Sequence, residues 1–160
     1  MVQKHLLTGR IIVVYYQLMD PAPLLHLNLH TPLEYTEVPG LLFGSEFPGN
    51  EAAGELLFCF ELDQEQAVRI DPDESFLPGN LVCAGRNTQT GNKGQKIQLP
   101  AGRYIFVQQR RALSQDECSY LAIEQQKDGL WERYKLDNRL YIRLLFEDGS
   151  TVTQLFRPSI

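Results

Sequence analysis

Every local signal agrees along residues 99–158, which read LPAGRYIFVQQRRALSQDECSYLAIEQQKDGLWERYKLDNRLYIRLLFEDGSTVTQLFRP. The stretch opens with a Pro/Gly turn at Leu99–Gly102, where a strand can begin. Over residues 103–109 apolar side chains then alternate onto both faces of the chain, including Tyr104 on one side and Ile105 on the other. Because both faces are apolar, we predict an interior strand of a sheet.

A helix is predicted next, over about residues 114–127. Ser114 stands three residues before Glu117, which is the spacing of a capping box. Apolar residues then recur at helical spacing along one stripe. Lys127 supplies a cation in the last turn, and Gly129 can adopt the left-handed conformation that follows many helices. The helix should therefore end near Lys127.

A hairpin is predicted to close the stretch. Apolar and polar residues alternate over residues 139–147, and residues 151–157 form the returning strand after Asp148-Gly149, a dipeptide that type I′ turns favour. Three cross-strand pairs follow from this loop: Glu147 with Ser150, Tyr141 with Phe156 and Arg143 with Gln154. The second face of the hairpin mixes aromatic and charged groups, so it either meets solvent or lines a cleft.

The segment Leu130–Tyr134 contains Trp131, the only tryptophan in the chain. In an extended conformation, Glu132 and Tyr134 point to one side and Trp131 to the other. A carboxylate beside a phenol, flanked by aromatic residues, can bind a cation or an organic ligand. The alternative is a surface pair of Glu132 and Arg133 above a tryptophan of the core.

Composition places the chain among ordinary globular domains and predicts a single domain over residues 1–160, with α+β character and a mainly antiparallel sheet. The net charge of -5 argues against a nucleic-acid surface. No apolar run reaches the roughly 20 residues that span a bilayer. Residues 11–16 predict a strand and not a signal peptide. Three cysteines far apart in the sequence favour reduced thiols, so we expect a cytoplasmic protein without membrane or nucleic-acid partners.

The catalytic and metal motifs that a sequence can reveal are missing. There is no Gly-x-Ser-x-Gly elbow, His-Glu-x-x-His or paired-cysteine spacing, so no catalytic residue, metal or cofactor is expected. His26 and His30 alternate with leucines in a predicted strand, which sets them roughly 13 Å apart and too far to share an ion. Residues 55–62 form another strand, with Glu61 on the face opposite its aromatic residues.

Four segments together carry a resemblance to a known family: Leu42-Phe43-Gly44 followed by Pro48, Gly54–Phe58, Leu99–Phe106 and Trp131–Tyr134. In this order they resemble the gyrase-inhibitor-like (GyrI-like, SOUL-like) effector-binding domains, which also form the ligand-binding half of some AraC-type and MerR-type regulators. The resemblance covers roughly residues 40–147. It implies a pseudo-two-fold α+β domain with a groove that binds amphipathic, often cationic, small molecules.

The resemblance also implies the site residues. Glu132 would be the acidic residue of the groove, with Trp131 and Tyr134 as its aromatic neighbours and Tyr104 from the strand opening; Glu61 is the second candidate carboxylate. We therefore expect a stand-alone, non-catalytic module for a small organic ligand. Two alternatives stay open: a small hydrolase with Glu132 or Glu61 as base and Tyr134 as acid, and a protein-binding or inhibitory module acting through strand edges or its acidic surface.

Overall fold

The computed structural model describes residues 23–44, 53–62, 79–87, 94–147 and 149–160. Eight strands and one helix lie in these ranges, and their bounds follow in chain order: β1 Leu25–Leu29, β2 Leu33–Glu37, β3 Ala53–Leu62, β4 Gly79–Asn87, β5 Lys96–Leu99, β6 Gly102–Gln109, α1 Gln115–Trp131, β7 Arg139–Glu147 and β8 Ser150–Ser159. The predicted α+β fold, mainly antiparallel with one helix, is confirmed. The strand predicted at residues 11–16 lies outside the described residues.

All eight strands belong to one sheet in which every neighbouring pair is antiparallel, in the order β1-β6-β8-β7-β3-β4-β2-β5. If β1 is exchanged with β5, β2 with β6, β3 with β7 and β4 with β8, the strand order is the same when it is read from the opposite edge of the sheet. The sheet therefore has a pseudo-two-fold topology, with the axis between β3 and β7. One half consists of β1 to β4 and the other of β5 to β8. The first strand of each half pairs with the second strand of the other half, β1 with β6 and β5 with β2.

The hairpin of β7 and β8 has the predicted register. Glu147 pairs with Ser150, and the pairs Tyr141 with Phe156 and Arg143 with Gln154 follow. Gly149 has a φ of 82°, a left-handed conformation that a glycine adopts without strain. Asp148 lies outside the described residues.

The first turn of α1 also forms as predicted. The Glu117 backbone N–H donates to Ser114 Oγ at 3.2 Å, and the Ser114 N–H donates to Glu117 Oε1 at 3.0 Å. These two bonds satisfy backbone donors that have no partner inside the helix. One face of the helix is buried, and it includes the polar residue Gln125. The Gln125 Nε2 donates to the carbonyls of Ile105 and Leu155. Gln125 thus fastens the helix to β6 and β8.

The predicted end of the helix was wrong, because α1 continues to Trp131. Gly129 lies inside the helix, where a Cβ atom would come within 2.5 Å of the Leu136 side chain, so the glycine allows a close packing contact. Arg133 adopts the left-handed conformation instead, with a φ of 61°. The N–H of Tyr134 donates to the Gly129 carbonyl and that of Arg133 to the Leu130 carbonyl, which is the Schellman pattern. The extended conformation predicted for Leu130–Tyr134 was therefore also wrong.

The sheet is curled into a half-barrel, and each of its faces carries a core. The core that α1 covers, the helix-side core, is built of aliphatic and phenylalanine side chains of the central strands and the helix stripe. The opposite face carries the inner core, which gathers residues from both sheet edges and from the centre: Tyr35, Leu57, Cys59, Leu99, Tyr104, Tyr141 and Phe156. Tyr35, Tyr104 and Tyr141 are buried in this inner core.

Candidate functional site

The residues predicted to form a binding site lie in three different environments. Trp131, at the end of α1, is 84% exposed, and Tyr134 is 44% exposed just beyond it. Glu132 is the exposed C-cap residue between them. Tyr104 is 3% exposed in the inner core and donates its hydroxyl to the Pro100 carbonyl. Glu61 is exposed on β3. The five residues therefore do not form one pocket.

Two of the predicted residues do meet in one cavity. Tyr104 and Tyr134 line a space of about 300 Å³ together with His26, Arg103 and the C-terminal Ile160. The His26 and Tyr134 rings lie 5.1 Å apart between centroids. Of the described residues, neither Glu132 nor Glu61 lines this cavity, so the hydrolase alternative gains no support from it.

A larger cavity lies at the end of α1 and includes Trp131. It has a volume of about 610 Å³ and is lined by Leu24, Glu124, Lys127, Asp128, Leu130 and Trp131. We call it the helix-end cavity. Four of the lining side chains lie on successive turns of α1: Glu124, Lys127, Asp128 and Trp131. They share one face of the helix because residues three and four apart are neighbours there. Leu24 approaches from the segment just before β1.

The charges around the helix-end cavity favour a cation. Lys127 Nζ lies 3.7 Å from Glu124 Oε1, so its charge is offset by this carboxylate. Among the described lining residues, Asp128 is left as the excess negative charge. Its Oδ2 atom is buried without a hydrogen-bond partner and lies 3.4 Å from Nε2 of His26 on β1. This contact holds the end of the helix against the edge strand.

A second polar cluster, the inner network, crosses the inner face of the sheet. Glu55 Oε1 accepts from the Tyr35 hydroxyl at 2.8 Å and from Arg143 Nη2 at 2.6 Å. Arg143 Nη1 donates to Gln154 at 3.0 Å, and Gln154 in turn donates to Gln108 at 2.7 Å. Five strands thus contribute one side chain each. The mixed face of the hairpin was predicted to meet solvent or line a cleft. Instead its Arg143 and Gln154 are hydrogen-bonded within this network.

Burial and charge shape the ionisation of the inner network. Burial by itself would lower the pKa of Arg143, but the attraction of Tyr35 and Glu55 raises it above its usual value. Burial also raises the pKa of Tyr35 well above its usual value. The guanidinium stays charged and the phenol neutral, so the network is a set of satisfied hydrogen bonds around one ion pair. It is suited to holding five strands together.

Sequence reasoning missed Asp128 and Glu124 as candidate ligand-binding carboxylates. Residues 124, 128 and 131 lie on one helical face, because they are spaced four and three apart. A helix that extends to Trp131 would have indicated this spacing in the sequence. Among the described residues there is no group of three His, Cys, Asp or Glu side chains that could hold a metal ion. In the same residues, no helix has both the length and the apolar character to cross a bilayer.

Comparison of the chain with known protein families, with curated proteins and with solved structures finds no match. The resemblance to the gyrase-inhibitor-like domains thus stays an expectation from the sequence. What the site can do must be inferred from its own residues.

Proposed function

We propose that this protein is a non-catalytic module that binds amphipathic cations at the helix-end cavity. The observation that carries the proposal is an almost fully exposed tryptophan in a cavity that two carboxylates also line. The cavity is shallow and wide open to solvent, and its volume is about 610 Å³. The proposal keeps the ligand class expected from the sequence and moves its acidic residue from Glu132 to Asp128.

The apolar half of such a ligand would cover surface that now meets water. Trp131 and Leu130, which is 53% exposed, give the cavity an indole face and an aliphatic wall. Removing apolar surface from water contributes roughly 25 cal/mol per Å². An indole ring is also the best aromatic partner for a cation held over its face. One side chain can therefore recognise both parts of an amphipathic cation.

The charged half of the ligand would be attracted by Asp128, whose charge is not offset by Lys127, the one lysine among the described lining residues. Its side chain is 25% exposed, so solvent screens it less than a fully exposed group. The contact with His26 restrains the carboxylate, which reduces the entropy lost when a ligand binds. A neutral ligand of the same shape should lack this contribution.

A protein partner is the second candidate, and the exposure of apolar side chains favours it. Three of them lie at or just beyond the end of α1: Leu130, Trp131 and Tyr134. Exposed apolar patches mark interaction sites as well as ligand grooves. A salt-sensitive pull-down in which Trp131→Ala loses a partner that the wild type retains would support this candidate.

The experiment for the proposed function is a fluorescence titration with tetraphenylphosphonium, a compact amphipathic cation. Trp131 is the only tryptophan, so its emission reports on the cavity alone. We expect a saturable change with the cation and at least about fivefold weaker binding of neutral triphenylphosphine oxide, a difference of about 1 kcal/mol. Equal binding of both compounds would contradict the electrostatic part, and no response to either would overturn the proposal.

A further inference from the structure

Two of the three cysteines, which are distant in sequence, face each other across the sheet. Cys59 on β3 is the register partner of Cys83 on β4. Directly opposed residues of antiparallel strands have Cα atoms about 4.5 or 5.5 Å apart, and both values lie within the range of disulfides. The two thiols are close enough to influence each other's pKa. The sequence-based view of three separate thiols therefore does not hold in space.

The strand pairing is irregular at this point. Cys59 pairs with Cys83, but the next residue, Phe60, pairs with Leu81, so the register shifts between Cys59 and Phe60. Val82 is the extra residue of the resulting bulge and is half exposed. A bulge interrupts the ladder of backbone hydrogen bonds and increases the local twist. The backbone can thus adjust here to the dihedral angle near 90° that a disulfide requires.

The two thiols differ in their access to solvent. Cys59 is 2% exposed in the inner core, whereas Cys83 is partly exposed. A reagent in solution therefore reaches Cys83 first, and Cys59 is placed to react in a second step. Cys118 is fully buried in the helix-side core, on the other face of the sheet. It serves as an internal control.

We propose that Cys59 and Cys83 form a site of reversible disulfide formation, with a glutathione-type disulfide as the oxidant. The Cys83 thiolate attacks one sulfur of oxidised glutathione, forming a mixed disulfide and releasing one glutathione thiolate. The Cys59 thiolate then attacks the Cys83 sulfur and displaces the second glutathione. Two protein thiols are oxidised, one glutathione disulfide is reduced to two thiols, and the two cysteine protons end on the released glutathione.

Burial slows the reaction of both thiols with oxidants, which protects the site from non-specific oxidation. Loss of solvation raises the pKa of Cys59 to about 11 and raises that of Cys83 above its usual value. The thiolate is the reactive form, so only a small fraction of either group reacts at neutral pH. The guanidinium of Arg139 on β7 opposes this effect for both thiols. A disulfide exchange reagent, supplied over hours, is the suitable probe.

The test uses the full chain incubated with oxidised glutathione at pH 8, quenched in acid, and analysed by intact mass and by alkylation after unfolding. We expect the loss of two hydrogen atoms, a fall from three alkylatable thiols to one, and a cross-linked peptide joining Cys59 and Cys83. Dithiothreitol should restore all three thiols. Cys118→Ala should still form the disulfide, whereas Cys83→Ser should not.

Three outcomes would overturn the proposal. The first is that all three thiols stay free after overnight oxidation of the folded wild type. The second is that glutathione remains attached to Cys83 without being displaced, and the third is that the disulfide includes Cys118. Because the decisive measurement is made on the wild-type chain, poor folding of a variant does not affect it. The tryptophan titration is separate, so failure of either idea can be told from failure of the other.

Discussion

The inner network and the helix-end cavity both contain carboxylates and aromatic residues, but they differ in whether these groups are bonded within the chain. In the inner network, Glu55 accepts hydrogen bonds from Tyr35 and Arg143, and the Arg143 guanidinium also donates to Gln154. In the helix-end cavity, the indole of Trp131 meets water and a buried oxygen of Asp128 has no hydrogen bond. One region has satisfied its polar groups within the chain, and the other has groups left over.

The difference separates groups that maintain the fold from groups that can bind something else. Removing one partner of a partly buried ion pair destabilises the fold, since the other charge is left unpaired. An exposed tryptophan contributes little to the folded state, because most of its surface is solvated in both states. Variants in the two regions should therefore change different measurements.

Between the two regions, the larger expected loss of stability comes from Glu55→Ala in the inner network. This change removes the acceptor of three hydrogen bonds and leaves the charge of Arg143 unpaired. Partial exposure of both groups reduces the penalty from that of a fully buried pair, so we expect about 2 kcal/mol lower free energy of unfolding. Urea denaturation provides the measurement.

The matched control for that prediction is Glu147→Ala at the exposed end of β7. It removes the same side chain from the same sheet and should change the free energy of unfolding by less than about 0.5 kcal/mol. Equal losses in the two variants would show that the network contributes no more than a surface carboxylate. The contrast between the two regions would then disappear.

A smaller effect is expected at the start of α1, where a carboxylate is only partly buried. Burial would raise the pKa of Glu117, but its bonds with Arg111 and Ser114 bring the pKa below the usual value of 4.5. Its contribution to stability is thus complete above about pH 4.5 and is lost as the pH falls through the lowered pKa. We expect about 1 kcal/mol, as for other helix caps.

The test of that pH dependence is urea denaturation of the wild type and Glu117→Gln at pH 7 and at pH 3. Glutamine retains the capping geometry but cannot titrate. The stability difference between the two proteins should be present at pH 7 and shrink at pH 3. A difference that is the same at both pH values would show that the charge of Glu117 is not the cause.

Sequence reasoning succeeded where the signals are local. The capping box at Ser114 and Glu117, the alternation of β7 and the register of the β7–β8 hairpin each depend on neighbouring residues, and they formed as predicted. The end of α1 failed because its cause is not local. Gly129 has the chemistry of a helix terminator, yet the Leu136 side chain packs onto it, and Arg133 takes the left-handed position.

The candidate site was predictable only in part for the same reason. Trp131 was predicted because it is the only tryptophan and stands next to an acidic residue. Glu132 was assigned from an extended chain and from the family resemblance, and α1 extends to Trp131 instead. The pairing of Cys59 with Cys83 requires the register of β3 and β4 across residues 63–78, which no turn motif fixes. The inner network similarly joins strands that are up to 108 residues apart in sequence.

The smallest effect on stability is expected for Trp131→Ala. The side chain is exposed, so the free energy of unfolding should change by less than about 0.5 kcal/mol, against about 3–5 kcal/mol for removing a buried aromatic ring such as Phe58. Circular dichroism during urea denaturation measures both variants. A loss above about 2 kcal/mol at Trp131 would mean that the residue is part of the core, and the cavity would lose its binding role.

The most direct test of the central claim compares Asp128→Asn with Glu132→Gln in calorimetric titrations with tetraphenylphosphonium. Each change removes one carboxylate charge beside Trp131, but only Asp128 lines the helix-end cavity. We predict about tenfold weaker binding for Asp128→Asn, or about 1.4 kcal/mol, and less than a twofold change for Glu132→Gln. Unchanged affinity in Asp128→Asn, or the larger loss in Glu132→Gln, would contradict the proposed site.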